Sequence, residues 1–232
     1  MDNALSAIRR AVSGGLSRQI QGVLVDVSTT WNAVDRILEG ALGELTGPGG
    51  PPVLPASALE DWRLPAPAKS ALLSYGLPPQ RTDGLMGVAG GFHDAAPAYH
   101  VLGSYGSAII AAVPGSDAVL AVPRSSAVHP DLARLYPSGI TPTPVNSSIP
   151  AFVECAWRWH WIVPLLADAQ NAAGEAEIQA WKDGRGTEID DPYRGCQQLC
   201  DHVLERFRAI DPAIGPDTGF WPDVIADLAP DR

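Results

Sequence analysis

Cysteine is scarce in this sequence. The 232 residues include only Cys155, Cys196 and Cys200. So small and odd a number does not form the disulfide framework of a small secreted protein. Cys196 and Cys200 are four residues apart on a predicted helix, where side chains are neighbours but the backbones lie too far apart along the axis for an easy bridge. We therefore expect reduced, buried thiols in a soluble, cytoplasmic protein.

Long apolar runs are also missing. The pair Arg9-Arg10 is compatible with an export signal, but Arg18, Gln19 and Asp26 interrupt the apolar residues that follow it. A signal peptide needs an apolar region of roughly 7–15 residues, and a transmembrane helix needs about 20. We predict neither element, and no membrane partner.

Catalytic signatures are absent as well. The segment Gly87-Val-Ala-Gly-Gly lacks the Lys-Ser/Thr pair of a phosphate-binding loop. The histidines form no His-x-x-x-His pair, and no serine lies in a Gly-x-Ser-x-Gly context. Only the adjacent pair His93-Asp94, in a predicted loop, has the chemistry for acid–base catalysis. We predict no catalytic residue, cofactor or metal site, and a hydrolase that uses His93 remains an alternative.

The chain has few charged residues, and its net charge is negative. Charged residues make up 18% of the sequence, and the net charge is −10. From Asp168 to Arg232 there are fourteen acidic and six basic residues, a net charge of −8. An acidic surface repels nucleic acid and anionic membranes and favours a basic partner. The alternative interpretation is a solvated face that only keeps the protein soluble.

The apolar pattern divides the chain into three segments. Residues 1–46 are predicted as an N-terminal helical extension, because apolar residues recur every three or four positions from Leu5 to Leu42. Residues 47–58 are rich in Pro and Gly and are predicted as a linker, and residues 59–232 form the folded domain. The extension cannot bury its apolar stripe alone. We expect it either to dock on the domain or to mediate oligomerisation through residues 1–46.

Within the domain, predicted strands precede the predicted long helices. A helix over 66–75 leads into a predicted loop over 79–97. Short strands are predicted at 99–103, 108–113 and 118–122, with room for one more within 123–144. One helix begins after Ser147 or Ser148, and another runs from Asp191 to Ile210. This order predicts an α+β fold with a mainly antiparallel sheet flanked by helices.

Three tryptophans alternate along the first of these long helices. Residues two apart do not share a helix face, so Trp157 and Trp161 are expected in the core while Trp159 points elsewhere. Trp159 either covers the sheet or the N-terminal helices, or it faces a partner, since tryptophan is enriched at interface hot spots.

Several segments, taken in order, carry a family resemblance. They are Leu64-Pro65, Leu72-Leu73-Ser74-Tyr75-Gly76-Leu77-Pro78, the turn Pro114-Gly115-Ser116-Asp117, and Val145-Asn146-Ser147-Ser148 followed by Ala151-Phe152-Val153. The sequence over Leu64 to Ile225 resembles the SUKH superfamily of immunity proteins in its opening helix and Gly-Leu-Pro turn, its central hairpin and its entry into a long helix. It is most similar to the fourth SUKH subfamily, which is typical of actinobacteria.

The resemblance implies a curved, mainly antiparallel sheet flanked by helices, and immunity against polymorphic toxins, many of which are nucleases or deaminases. Immunity of that kind plugs the site of the toxin. The expected partner is a basic cognate toxin domain. Candidate contacts follow from expected exposure and charge: Asp83, His93, Asp94, Trp159, Trp181, Asp183, Glu188, Asp190 and Asp191. The alternative is a non-catalytic scaffold or adaptor subunit that assembles through its N-terminal helices.

Overall fold

The structure is a computed structural model that describes residues 27–47, 55–96, 99–125, 139–185 and 191–229. The apolar stripe predicted for the first 26 residues lies outside these ranges, as do Glu188 and Asp190.

The strands form one open antiparallel sheet in which neighbours in sequence are neighbours in space. They are β1 (Ala89–Ala96), β2 (Tyr99–Tyr105), β3 (Ala108–Ala112), β4 (Val119–Pro123) and β5 (Thr143–Asn146). The turn predicted at 114–117 connects β3 to β4, which pair in regular register from Ala112↔Val119 to Ala108↔Pro123. With helices around this sheet, the α+β prediction is confirmed.

The prediction of a loop over 79–97 is wrong for its second half, which is β1. Its Gly, Ala and Asp residues have low strand propensity, so local sequence gives no strand signal. Pairing with β2 overrides that propensity. Gly103 of β2 lies so close to β1 that an added Cβ would stand 2.0 Å from the Ala89 carbonyl oxygen. Glycine at this position therefore permits the β1–β2 contact.

Six α-helices lie in the described residues. They are α1 (Val27–Glu39), α2 (Leu42–Thr46), α3 (Ala66–Tyr75), α4 (Ile149–Lys182), α5 (Arg194–Ile210) and α6 (Phe220–Ala226). Helix α3 has its predicted bounds and ends at Gly76, whose φ of 58° suits glycine. Ser148 caps α4 as predicted, because its Oγ accepts a hydrogen bond from the Ala151 backbone N–H.

Helix α4 is the central helix of the fold. Its 34 residues continue through Pro164 and correspond to a length of about 50 Å. It contacts α1, α2, α3, α5 and β5. Its first half is buried among them, whereas its last two turns carry exposed side chains.

The described part of the N-terminal segment packs into the same core as the sheet and α4. Val34, Ile37, Leu38 and Leu45 are all at most 4% exposed. Arg158 of α4, 5% exposed, donates hydrogen bonds to the carbonyl oxygens that end α1, including that of Gly40 at 3.2 Å. The apolar face of α1 is thus already occupied within this chain.

Candidate partner-binding surface

Trp159 lies in the core and is not available for contact with a partner. Its side chain is 1% exposed and packs edge-on against Trp221, with ring centroids 6.3 Å apart. The hypothesis that it faces a partner is therefore wrong for the folded chain. Helical spacing shows only that Trp159 points away from the helix face that Trp157 and Trp161 share. Spacing alone does not show that the face of Trp159 is buried as well.

The two flanking tryptophans hold other helices in place. The indole N–H of Trp157 donates to the carbonyl oxygens of Tyr75 and Gly76 at 3.2 and 3.3 Å, where α3 ends. That of Trp161 donates to the Leu45 carbonyl at 2.9 Å, in the last turn of α2. Both therefore satisfy carbonyl groups that have no partner within their own helices.

Trp181 and Ile178 form the most exposed apolar pair in the described residues. Trp181 is 77% exposed and Ile178 is 55% exposed. They are three residues apart on α4 and so are neighbours on its surface. Ala173 and Ala180 form the opposite, buried face of these turns. The helix thus presents a large aromatic and an aliphatic side chain to solvent at its end.

Exposed acidic residues lie on the last turns of α4 and in the turns that follow it. Glu175, Glu177, Asp183 and Asp191 are all exposed. The turn that carries Asp191 is fixed beside α4, because the Tyr193 hydroxyl donates to Glu177 Oε2 at 3.0 Å. We name Glu175, Glu177, Ile178, Trp181, Asp183 and Asp191 together the Trp181 surface.

Asp183 is the one member of this surface that has a basic partner in the described residues. The Arg185 guanidinium lies 2.7 Å from its Oδ2 and holds the pKa of the Asp183 carboxyl below its usual value. Gln179 Nε2 also donates to it at 3.0 Å. The pair leaves Asp183 ionised at neutral pH.

Asp83 belongs to a different region of the surface. Arg81 forms an ion pair with it and lowers the pKa of its carboxyl. Arg81 also donates to the carbonyl oxygen of His160 on α4. His160 precedes Trp181 by 21 residues, which corresponds to about 30 Å along a helix. The structure therefore does not bring Asp83 together with the Trp181 surface.

His93 and Asp94 lie on β1, an edge strand of the sheet, and His93 is in register with Val101 of β2. A loop position was predicted for them. Their backbones belong instead to the sheet.

Asp211 is a buried polar centre that sequence reasoning missed. It is 1% exposed and accepts hydrogen bonds from Ser147 N at 2.7 Å, Ser147 Oγ at 2.8 Å, Asn146 Nδ2 at 2.9 Å and Ala213 N at 3.1 Å. Burial alone would raise the pKa of its carboxyl, but these donors outweigh burial and the pKa is lowered. Asn146 Oδ1 in turn accepts from Trp221 Nε1 at 2.9 Å.

The polar residues before α4 therefore have a structural role. They fix the β5–α4 turn to the segment after α5 and to α6. The available signal was the Asn146-Ser147 pair between a strand and a helix, which indicates a polar partner but does not identify it.

The cysteine thiols and two of the cavities in the described residues are the remaining candidates for a chemical site. None of the three cysteines, which are all described and buried, forms a disulfide, and burial raises the pKa of the Cys155 thiol. Cys200 lines a cavity of about 390 Å³ with Asp201, Leu204 and Pro216 among others. A second cavity of similar size, beside β5, has mainly apolar walls. Among the described residues, no group of three or more His, Cys, Asp or Glu side chains has the arrangement of a metal site.

A histidine–carboxylate pair joins two of the helices. His202 on α5 lies 2.7 Å from Asp35 on α1, and its ring contacts Trp31.

No described helix combines the length and apolar character that crossing a membrane requires.

Comparison with known proteins identifies the family. Searches of curated proteins and of solved structures found no match. The model of the SUKH-4 immunity protein family matches residues 37–227. This range exceeds the resemblance noted over Leu64 to Ile225 and begins inside α1, consistent with the burial of Ile37 and Leu38. By this match over most of its length, the chain belongs to the SUKH-4 immunity protein family.

Proposed function

We propose that this chain neutralises a nucleic-acid-targeting toxin by binding its catalytic domain and blocking access to its active site. The observation that carries the proposal is the family match over residues 37–227. Immunity requires a protein partner, and occlusion needs only a stable complementary surface. A catalytic centre in the immunity protein is not required.

The sign of the charge supports the choice of toxin. Proteins that act on nucleic acid present basic surfaces to the phosphate backbone. A chain with a net charge of −10 is attracted to such a surface, and this attraction speeds association. A toxin with an acidic or neutral substrate site would gain nothing from this charge.

The proposed mechanism is non-catalytic and takes place in the cytoplasm. Three buried cysteines that form no disulfide suit a reducing compartment, and a toxin that attacks nucleic acid acts there. The protein would contribute shape and charge, with one chain consumed for each toxin molecule bound.

Titration of toxin activity tests this proposal. The purified chain is added to a fixed concentration of the nuclease or deaminase domain that the tagged chain captures from its host, and cleavage or deamination of nucleic acid is measured. Occlusion predicts a linear loss of activity that reaches zero at a one-to-one ratio. Inhibition well below one equivalent would indicate catalytic inactivation, and full activity at tenfold excess would remove the proposed function.

A further inference from the structure

We infer that the Trp181 surface is the face through which this chain holds its toxin, and that it fits an apolar socket surrounded by Lys and Arg side chains. The inference rests on the proposed function and names the chemistry of the partner at one place in the fold.

Apolar exposure is the first observation. The described residues include four large hydrophobic side chains that are strongly exposed: Met86, Ile140, Ile178 and Trp181. Met86 and Ile140 lie singly outside helices and strands, and isolated exposed hydrophobics are ordinary. Ile178 and Trp181 are neighbours on one helix and include the most exposed side chain of the set. Tryptophan in such a position is the residue type most enriched at interface hot spots.

The rigidity of the support is the second observation. The indole stands on a continuous 34-residue helix, and the buried Ala180 fixes the rotation of its last turn. Tyr193 packs against this part of α4. Its hydroxyl lies so near Gly174 that a Cβ added there would be 3.4 Å from it. A surface that is already ordered loses little conformational entropy on binding.

The negative charge of the Trp181 surface favours a basic partner over a second copy of this chain. The Trp181 surface carries four acidic residues, and the described residues between them add the two basic residues Lys182 and Arg185, which leaves a net charge of −2. One of the two basic residues, Arg185, is paired with Asp183. A second copy of this chain would bring two such acidic surfaces together, and like charges oppose that contact. A basic protein surface gains from the same charges.

The probe for the test is a catalytically inactive form of the toxin domain used in the titration. Trp181→Ala combined with Ile178→Ala removes the apolar anchor, and Met86→Ala is the matched control at a single exposed hydrophobic. We expect the double variant to bind at least about 30-fold more weakly and the control to bind within about 2-fold of the wild type. Unchanged thermal unfolding of the double variant would show that folding is intact.

Charge and contact are tested separately. Glu175→Lys, at an exposed position, should slow association by about 3- to 10-fold at low salt, and the difference from the wild type should shrink as the salt concentration rises.

A photoreactive p-benzoylphenylalanine in place of Trp181 should cross-link to the toxin domain, whereas the same group in place of Met86 should not.

The outcomes separate the surface from the function. If the wild-type chain inhibits the toxin but the double variant binds it equally well, the Trp181 surface is wrong and the proposed function stands. If the wild-type chain inhibits no toxin domain, both fail. If the chain alone sediments as a dimer that Trp181→Ala converts to a monomer, the occupant is a second copy and the inference is overturned.

Discussion

The Asp211 carboxylate provides the sharpest test of how the fold is held together. Replacing it by alanine removes the acceptor of four donors, of which Asn146 Nδ2 is buried and those of Ser147 and Ala213 are partly buried. Hydrogen bonds to a charged group are each worth about 1.5–3 kcal/mol net. Because the donors share one carboxylate and can relax in part, their sum overestimates the effect. We expect Asp211→Ala to lower the free energy of unfolding by about 4 kcal/mol, in the upper range for a single substitution.

Urea denaturation followed by tryptophan fluorescence measures this loss, since the network ends on the Trp221 indole. Asp217→Asn is the control, because Asp217 is exposed in the same loop. A loss for Asp211→Ala below about 1 kcal/mol, within the range of ordinary surface substitutions, would refute the assignment of Asp211 as a structural centre.

The same carboxylate predicts a dependence on pH with a definite sign. Its pKa in the folded chain is lowered, below the value of about 3.9 for an unfolded chain. The stabilisation is therefore complete above pH 4 and is lost as the pH falls through the lower, folded-state pKa. The difference in stability between wild type and Asp211→Asn should narrow in that acidic range. A difference that stayed constant down to pH 2 would contradict this sign.

Substitutions at four other positions have expected effects on the stability of the fold. Arg158→Lys should lower the free energy of unfolding by about 2–3 kcal/mol in urea, because lysine lacks the fork that reaches the end of α1. Gly103→Ala should cost at least about 2 kcal/mol by the same assay, since its Cβ would overlap the Ala89 carbonyl. Burial lowers the pKa of His160 to about 4, so wild-type stability should fall between pH 6.5 and 4 while His160→Gln stays flatter. Trp181→Ala should change stability by less than about 0.5 kcal/mol.

Local signals in the sequence were sufficient for most helices and for the central strands. Gly76 with Pro78 marks the end of α3, Ser148 marks the start of α4, and the Pro-Gly turn after Ala112 marks the hairpin. Each of these signals acts within a few residues, so it can be recognised without knowledge of the tertiary structure.

The errors arose where tertiary contacts decide the structure. Strand β1 forms because β2 offers a close, glycine-lined edge, which the composition of 89–96 does not indicate. Within the helical extension predicted over 1–46, the helix stops at Glu39 and a new one begins at Leu42, and Arg158 binds the Gly40 carbonyl at this break. Trp159 faces a second buried layer that includes Trp221, 62 residues later in the chain.

The candidate surface could be predicted only in part. The charge of the C-terminal quarter indicated an acidic contact, and Trp181 and Asp183 were chosen from it. Both side chains are exposed as expected, but the continuation of α4 to Lys182 could not be predicted, because a proline such as Pro164 usually ends or kinks a helix. The grouping of Asp191 with Glu177 depends on the Tyr193 hydrogen bond, which joins residues 16 positions apart.

Survival of cells that produce the toxin domain tests the central claim most directly. The toxin domain is induced at a fixed level while this chain is supplied at increasing amounts, and viable cells and intact nucleic acid are counted. Immunity by occlusion predicts full protection once the chain equals the toxin in amount, and none when it falls well below. Cell death at every ratio, with the chain present and folded, would contradict the account.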